Sequence, residues 1–177
     1  MDVFSGIIAI TFVSILTFFI ANYWPKVAKI LYVALLVRVI ILFLGYYIIE
    51  LPDSNDDAKT FEALANNWAE QGFSYVMSRY PAFNSSFISW IIAIPYSLFG
   101  RSILMAQSIS LFFGMGSVFM GWLLARKLWN ERVASKAGWF FALYPSLILY
   151  SCLTLREAPV WFFLLVAFFG IANWAQN

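Results

Sequence analysis

Long apolar runs alternate with short polar breaks along this chain of 177 residues. Residues 3–23, 28–49, 103–125 and 157–175 each approach or exceed the ~20 mainly apolar residues of a membrane-spanning helix. A fifth run, 134–152, contains Pro145, whose ring and missing N–H predict a kink near Leu143 and Tyr144. A sixth, 83–99, is short, opens on Asn84, Ser85 and Ser86, and holds Pro95. The one long polar passage is 50–82. Within it Phe61, Leu64, Ala65 and Trp68 recur at i, i+3, i+4 and i+7. That spacing predicts an amphipathic helix over 56–71 lying at the membrane interface. Ser54 or Asn55 suits its N-cap and Gly72 the position just past its end. Lys59, Glu62, Asn66 and Glu70 are expected on its polar face. At ~100° per residue Asp56 points the same way, whereas Asp57 projects with Phe61, Leu64 and Trp68.

Composition agrees with a membrane environment. Hydrophobic residues make up 63% of the chain, charged residues only 11%, and mean hydropathy is +0.80, against the ~25% charged residues of a soluble domain. A net charge of +2 is too small to suggest nucleic acid as a partner. The first run lacks a basic leader and a clear small-residue cleavage site and carries Asp2, so it reads as a retained span rather than a signal peptide. The absence of histidine excludes histidine acid–base chemistry and His-rich metal sites. The lone cysteine, Cys152, excludes an internal disulfide and suits a small core residue.

Charge orients the spans. If 83–99 crosses, the Lys and Arg residues are split against the rule that cytoplasmic loops carry them. If it lies along the outer surface, Lys26, Lys29, Arg126, Lys127, Arg132 and Lys136 all fall inside. Every acid except Glu131 then falls outside. The expected architecture is therefore all-α: five spans, an outer N-terminus, an amphipathic interfacial helix and one non-spanning juxtamembrane helix.

This arrangement brings two polar clusters to one surface, the aspartates of 53–57 and the pair Arg156–Glu157. An acid on the apolar stripe of an interfacial helix is a candidate for proton transfer; the plain alternative is that Asp56 and Asp57 only complement the helix dipole. Asp53, Asp56 and Asp57 carry oxygen ligands for a divalent cation, although nothing in their spacing requires one. Arg156 suits a phosphate clamp, or, with Glu157, simply ends one helix and starts the next. Arg79 and Arg101 lie at outer turns, in reach of headgroup or ligand phosphates. Arg38 is isolated in mid-span, where a charge costs ~2.5–3.5 kcal/mol on insertion scales. Gly114, Gly116 and Gly121 lie within an apolar helix and suit close helix packing, not a phosphate loop.

The ordered set Asp57-Ala58-x-x-Phe61-x-x-Leu64-Ala65, Tyr80-Pro81, Leu98-Phe99-Gly100, Leu124-Ala125-Arg126-Lys127-Leu128-Trp129, Tyr144-Pro145-Ser146 and Leu155-Arg156-Glu157-Ala158 resembles the N-terminal part of GT-C membrane glycosyltransferases. The likeness is to protein O-mannosyltransferases and bacterial aminoarabinose transferases, with bacterial members serving surface polysaccharide the nearest in kind. It spans about 28–175, and such enzymes are usually several hundred residues long, so it implies further spans in a complete relative. It also implies transfer of a sugar from a polyprenyl-phosphate donor to a glycan, lipid or protein acceptor. The transfer would invert the anomeric carbon at the periplasmic or extracellular face of a bacterial inner membrane. The family's loop acid, the catalytic base, maps onto Asp57, with Asp56 or Asp53 as alternatives. Arg156, Glu157, Arg79 and Arg101 would serve the lipid phosphate. Two rival readings stand beside this one. The first is a non-catalytic accessory or lipid-handling protein on the same fold. The second is a transporter or channel subunit, which would be expected to line a path with charged residues inside its spans.

Overall fold

The computed structural model describes residues 2–54, 57–81 and 84–176. The described residues are 84% helical and include no strand. Helix α1 (Asp2–Tyr23) ends where Trp24 precedes Pro25, and that proline starts α2 (Pro25–Tyr47) at a position where its missing N–H is harmless. Next come α3 (Asp57–Ala69), α4 (Phe73–Ser78) and α5 (Phe87–Phe99). Ser102 caps α6 (Ile103–Leu128) by accepting from the Met105 N–H, and Asn130 caps α7 (Glu131–Leu143) by accepting from Arg132 and Val133. The chain closes with α8 (Pro145–Cys152) and α9 (Glu157–Gln176). Among the described residues four helices, α1, α2, α6 and α9, are long and apolar enough to cross a membrane. This is an all-helical integral membrane protein.

The expected fifth span is two helices rather than one. Tyr144 takes extended dihedrals (φ −67°, ψ 121°), as a residue before proline must, and α8 restarts on Pro145. The break falls where the proline predicts it. Helix α3 ends at Ala69, two residues before the expected end, and Gly72 (φ +92°), whose N–H closes on Ala69 O, stands at the start of α4. Helix α4 was not legible in the sequence. Asn55, one of the two expected caps, lies outside the described residues; Ser54 sits in the preceding turn.

Side-chain ties define two ends of the bundle. At the basic end, Glu131 accepts from Lys26 (3.1 Å) and forms an ion pair with Arg126 (Nε to Oε1 2.7 Å), and the Arg126 guanidinium lies 5.0 Å from the Trp24 ring and 5.2 Å from Trp122. These contacts join the α1–α2 and α6–α7 turns. At the opposite, acidic end, Gly6 of α1 packs against Ser102 and Leu104 at the start of α6. Thr154, just past α8, donates to Ala58 O of α3 (2.8 Å). Together α7 and α8 therefore run the full distance between the ends.

Helix α6 is the hub, two-thirds buried, and it packs on α1, α2, α7, α8 and α9. Its glycines are contact points: Gly114 abuts Ser151, Gly116 meets the Phe162 ring and Gly121 the Phe141 ring. Helices α3, α4 and α5 form a cap over the acidic end, sharing a core of Ala65, Val76, Ile88, Ile92 and Tyr96. The Trp90 indole N–H donates to Val76 O (2.9 Å), locking α5 to α4. At 1.5 Å per residue α5 is about 20 Å long, short of the ~30 Å hydrocarbon core.

Candidate functional site

Two polar clusters form at the acidic end, and they differ in what holds them. The first joins the start of α3 to the start of α9. Ala58 packs with Leu153 and Leu155, flanked by Leu51 and Phe61, and the Thr154–Ala58 hydrogen bond pins the two backbones together. Asp57 and Arg156 thereby flank one junction, each a residue or two from that bond. Asp57 is exposed at the N-terminus of α3. Among the described residues it enters no ion pair. Its carboxylate therefore keeps its lone pairs for solvent or a ligand.

Arg156 and Glu157 touch only loosely, with Nε and Oε1 3.9 Å apart. The Arg156 side chain is 51% exposed and lines a groove of about 640 Å³ with Asn84, Ser85, Phe87, Pro159, Val160, Phe163 and Leu164. Pro159, Val160, Phe163 and Leu164 share one face of α9 at helical spacing, and Arg156 sits immediately before the helix. The groove is thus polar at its mouth and apolar two turns down. Glu157 Oε2 is buried with no hydrogen-bond partner among the described residues.

The second cluster corrects the expected facing of α3. Glu62, expected in water, is 6% exposed and accepts three hydrogen bonds. Tyr96 Oη donates at 2.9 Å, Arg101 Nε at 2.9 Å and Arg101 Nη2 at 2.8 Å. Asp57, expected to face the protein, faces out. The reason lies in the residues of closest approach. Ala58, Glu62 and Ala65 form the buried line of α3, where Ala58 lets the Leu153–Leu155 segment come close and Ala65 lets α5 do so. The large residues Phe61, Leu64 and Trp68 flank it, only partly buried. Burial, then the Glu62 charge and hydrogen bond, push the Tyr96 hydroxyl pKa well above its ordinary value. The Glu62 hydrogen bond, with its charge, also raises that of Arg101.

The other expected site residues scatter. Arg101 is tied to Glu62 through Nε and Nη2, with its side chain 55% exposed. Arg79 caps α4 with its guanidinium 4.9 Å from the Tyr75 ring. Asp53 is exposed in a left-handed turn (φ +62°), a conformation aspartate tolerates. Asp56 lies outside the described residues. Among the described residues no three acidic or sulfur ligands converge on a cation-sized site. Glu62, Tyr96, Thr154, Asn84 and Ser85 were not singled out as site residues from sequence. For Glu62 a signal existed in the alanines at i−4 and i+3; for the others none did, because their roles depend on which helices meet. No protein family model, curated protein or solved structure matches this chain.

Proposed function

We propose that this protein is a membrane glycosyltransferase that moves a sugar from a polyprenyl-phosphate donor to an acceptor hydroxyl at the acidic end of the bundle. The observation that carries the reading is the junction at Ala58–Thr154. It sets an exposed carboxylate, Asp57, beside an arginine at the head of an amphiphilic groove. In this mechanism the donor phosphate lies against Arg156, with its lipid tail along Val160, Phe163 and Leu164. Asp57 takes the proton from the acceptor hydroxyl as that oxygen attacks the anomeric carbon. The carbon–oxygen bond to the phosphate breaks, and the lipid phosphate leaves with its new charge balanced by the guanidinium. The configuration at carbon inverts. Asn84 and Ser85 on the groove offer polar contacts that a sugar needs.

The charge pattern supports an orientation in which the basic end, with Lys26, Lys29, Arg126, Lys127, Arg132 and Lys136, is cytoplasmic. Asp57 and Arg156 then face the outside. In sealed right-side-out bacterial inner-membrane vesicles, an impermeant thiol reagent is expected to label Lys59→Cys and to spare Lys136→Cys; the reverse would reject this orientation.

Binding tests the phosphate clamp. Arg156→Ala is expected to weaken retention of a long-chain polyprenyl phosphate in detergent by roughly tenfold or more, the loss of one charge-assisted contact. Arg79→Ala, off the groove, should leave it unchanged. Equal losses in both variants would mean that general charge, not this groove, holds the lipid. Tight binding without any transfer would favour the accessory, lipid-handling reading.

A further inference from the structure

Arg38 lies in the middle of α2, 1% exposed, with no carboxylate among its described partners. Its guanidinium makes four hydrogen bonds. Nη1 donates to Ala34 O (3.2 Å) on its own helix and to Ala142 O (2.8 Å), Nη2 donates to Phe141 O (3.0 Å), and Nε donates to Ser151 Oγ (3.2 Å). The two acceptors on α7 follow from the helix break. Tyr144 N–H closes the last regular turn on Phe140 O. The next donor would be Pro145, which has no N–H, so Phe141 O loses its partner, and the extended Tyr144 carries the chain beyond Ala142 O out of helical register. Arg38 supplies an N–H to each of these two carbonyls. Its positive charge also meets the negative end of the α7 dipole. The tie is returned from α8, where Cys152 Sγ donates to Arg38 O (3.3 Å).

These contacts lie on the path to the acidic end. Arg38 holds Ser151; three residues on, Thr154 bonds Ala58; two further on is Arg156. We propose that Arg38 is a positioning residue: it fixes α8 against α2 and α7 and so sets the Thr154–Arg156 segment against the helix that carries Asp57. The role of that junction as a site rests on the transferase reading; the positioning itself is read independently.

Nitroxide pairs in the full chain in nanodiscs test this, with the buried Cys152 out of reach of the label. One pair, Lys59→Cys with Val160→Cys, reports the acidic end; another, Lys29→Cys with Arg132→Cys, reports the basic end. Arg38→Met is expected to at least double the width of the first distance distribution while leaving the second as in the parent. Arg38→Lys should fall between, because one ammonium cannot reach both carbonyls and Ser151 at once. If Arg38→Met does not fold, Ser151→Ala, which removes only the Nε contact, is expected to broaden the first pair by a smaller factor. An unchanged first pair, or equal broadening of both pairs, would overturn the proposal. Polyprenyl-phosphate binding by the parent chain separates the two ideas. Absence of binding with a broadened first pair removes the transferase reading and keeps Arg38; binding with an unmoved first pair does the opposite.

Discussion

Asp57→Asn is expected to lower sugar transfer by roughly 10²- to 10⁴-fold, the usual worth of a positioned general base, with little change in thermal stability. Asparagine keeps the size of the side chain and its fit to the helix N-terminus but cannot take a proton. Asp57 is exposed and enters no ion pair among the described residues, so the fold does not depend on its charge. Loss of the dipole interaction costs at most about 1 kcal/mol. Parallel rates and melting curves separate the roles: a large fall in kcat with an unmoved Tm fits the base, whereas undiminished transfer assigns proton removal to another group. Asp53→Asn, in the exposed turn before the helix, is the comparison and is expected to retain most of the activity.

The second large effect is structural. Glu62→Ala is expected to destabilise the cap over the acidic end by about 2–3 kcal/mol, seen as a lower Tm in detergent. The carboxylate is buried and joins α3 to Tyr96 of α5 and to Arg101 at the α5–α6 turn. Without it the buried Tyr96 hydroxyl has lost its acceptor, while Arg101, 55% exposed on its side chain, recovers part of its loss in water. That is why the figure lies below the full cost of breaking a buried pair. The tie has an alkaline signature as well. The Tyr96 pKa is raised in the folded state, so its contribution is fully present below the unfolded value of about 10 and is lost as pH climbs above it. Tyr96→Phe should remove this part of the alkaline loss; an identical pH dependence in both chains would show that Tyr96 does not report the tie.

The spans were legible because burial in lipid leaves long, unbroken apolar runs, and helices α1, α2, α6 and α9 start and stop within a few residues of those runs. The break at Tyr144 was legible because proline acts locally. The facing of α3 was not. Periodicity ranks residues by polarity, and on that scale Glu62 belongs in water; the structure instead buries it against an arginine and a tyrosine from elements 34 to 39 residues away. Arg38 was conspicuous in the sequence without being explained, because its partners are backbone carbonyls on another helix, and no residue type marks a carbonyl that a distant proline has freed. Arg156 was legible as a clamp candidate from its place between two apolar runs. Its groove was not, since Asn84, Ser85 and Phe87, at and just before the start of α5, complete the lining.

The most direct measurement is the fate of a lipid-linked sugar given to the parent chain in sealed vesicles. Mass spectrometry would follow a panel of polyprenyl-phosphate donors carrying hexose, pentose and amino sugars, with acceptor supplied on the Asp57 side. At least one donor is expected to yield free polyprenyl phosphate and glycosylated acceptor in equal amounts, with the anomeric configuration inverted. Donors that stay intact across the panel while remaining bound to the protein would contradict the transferase reading.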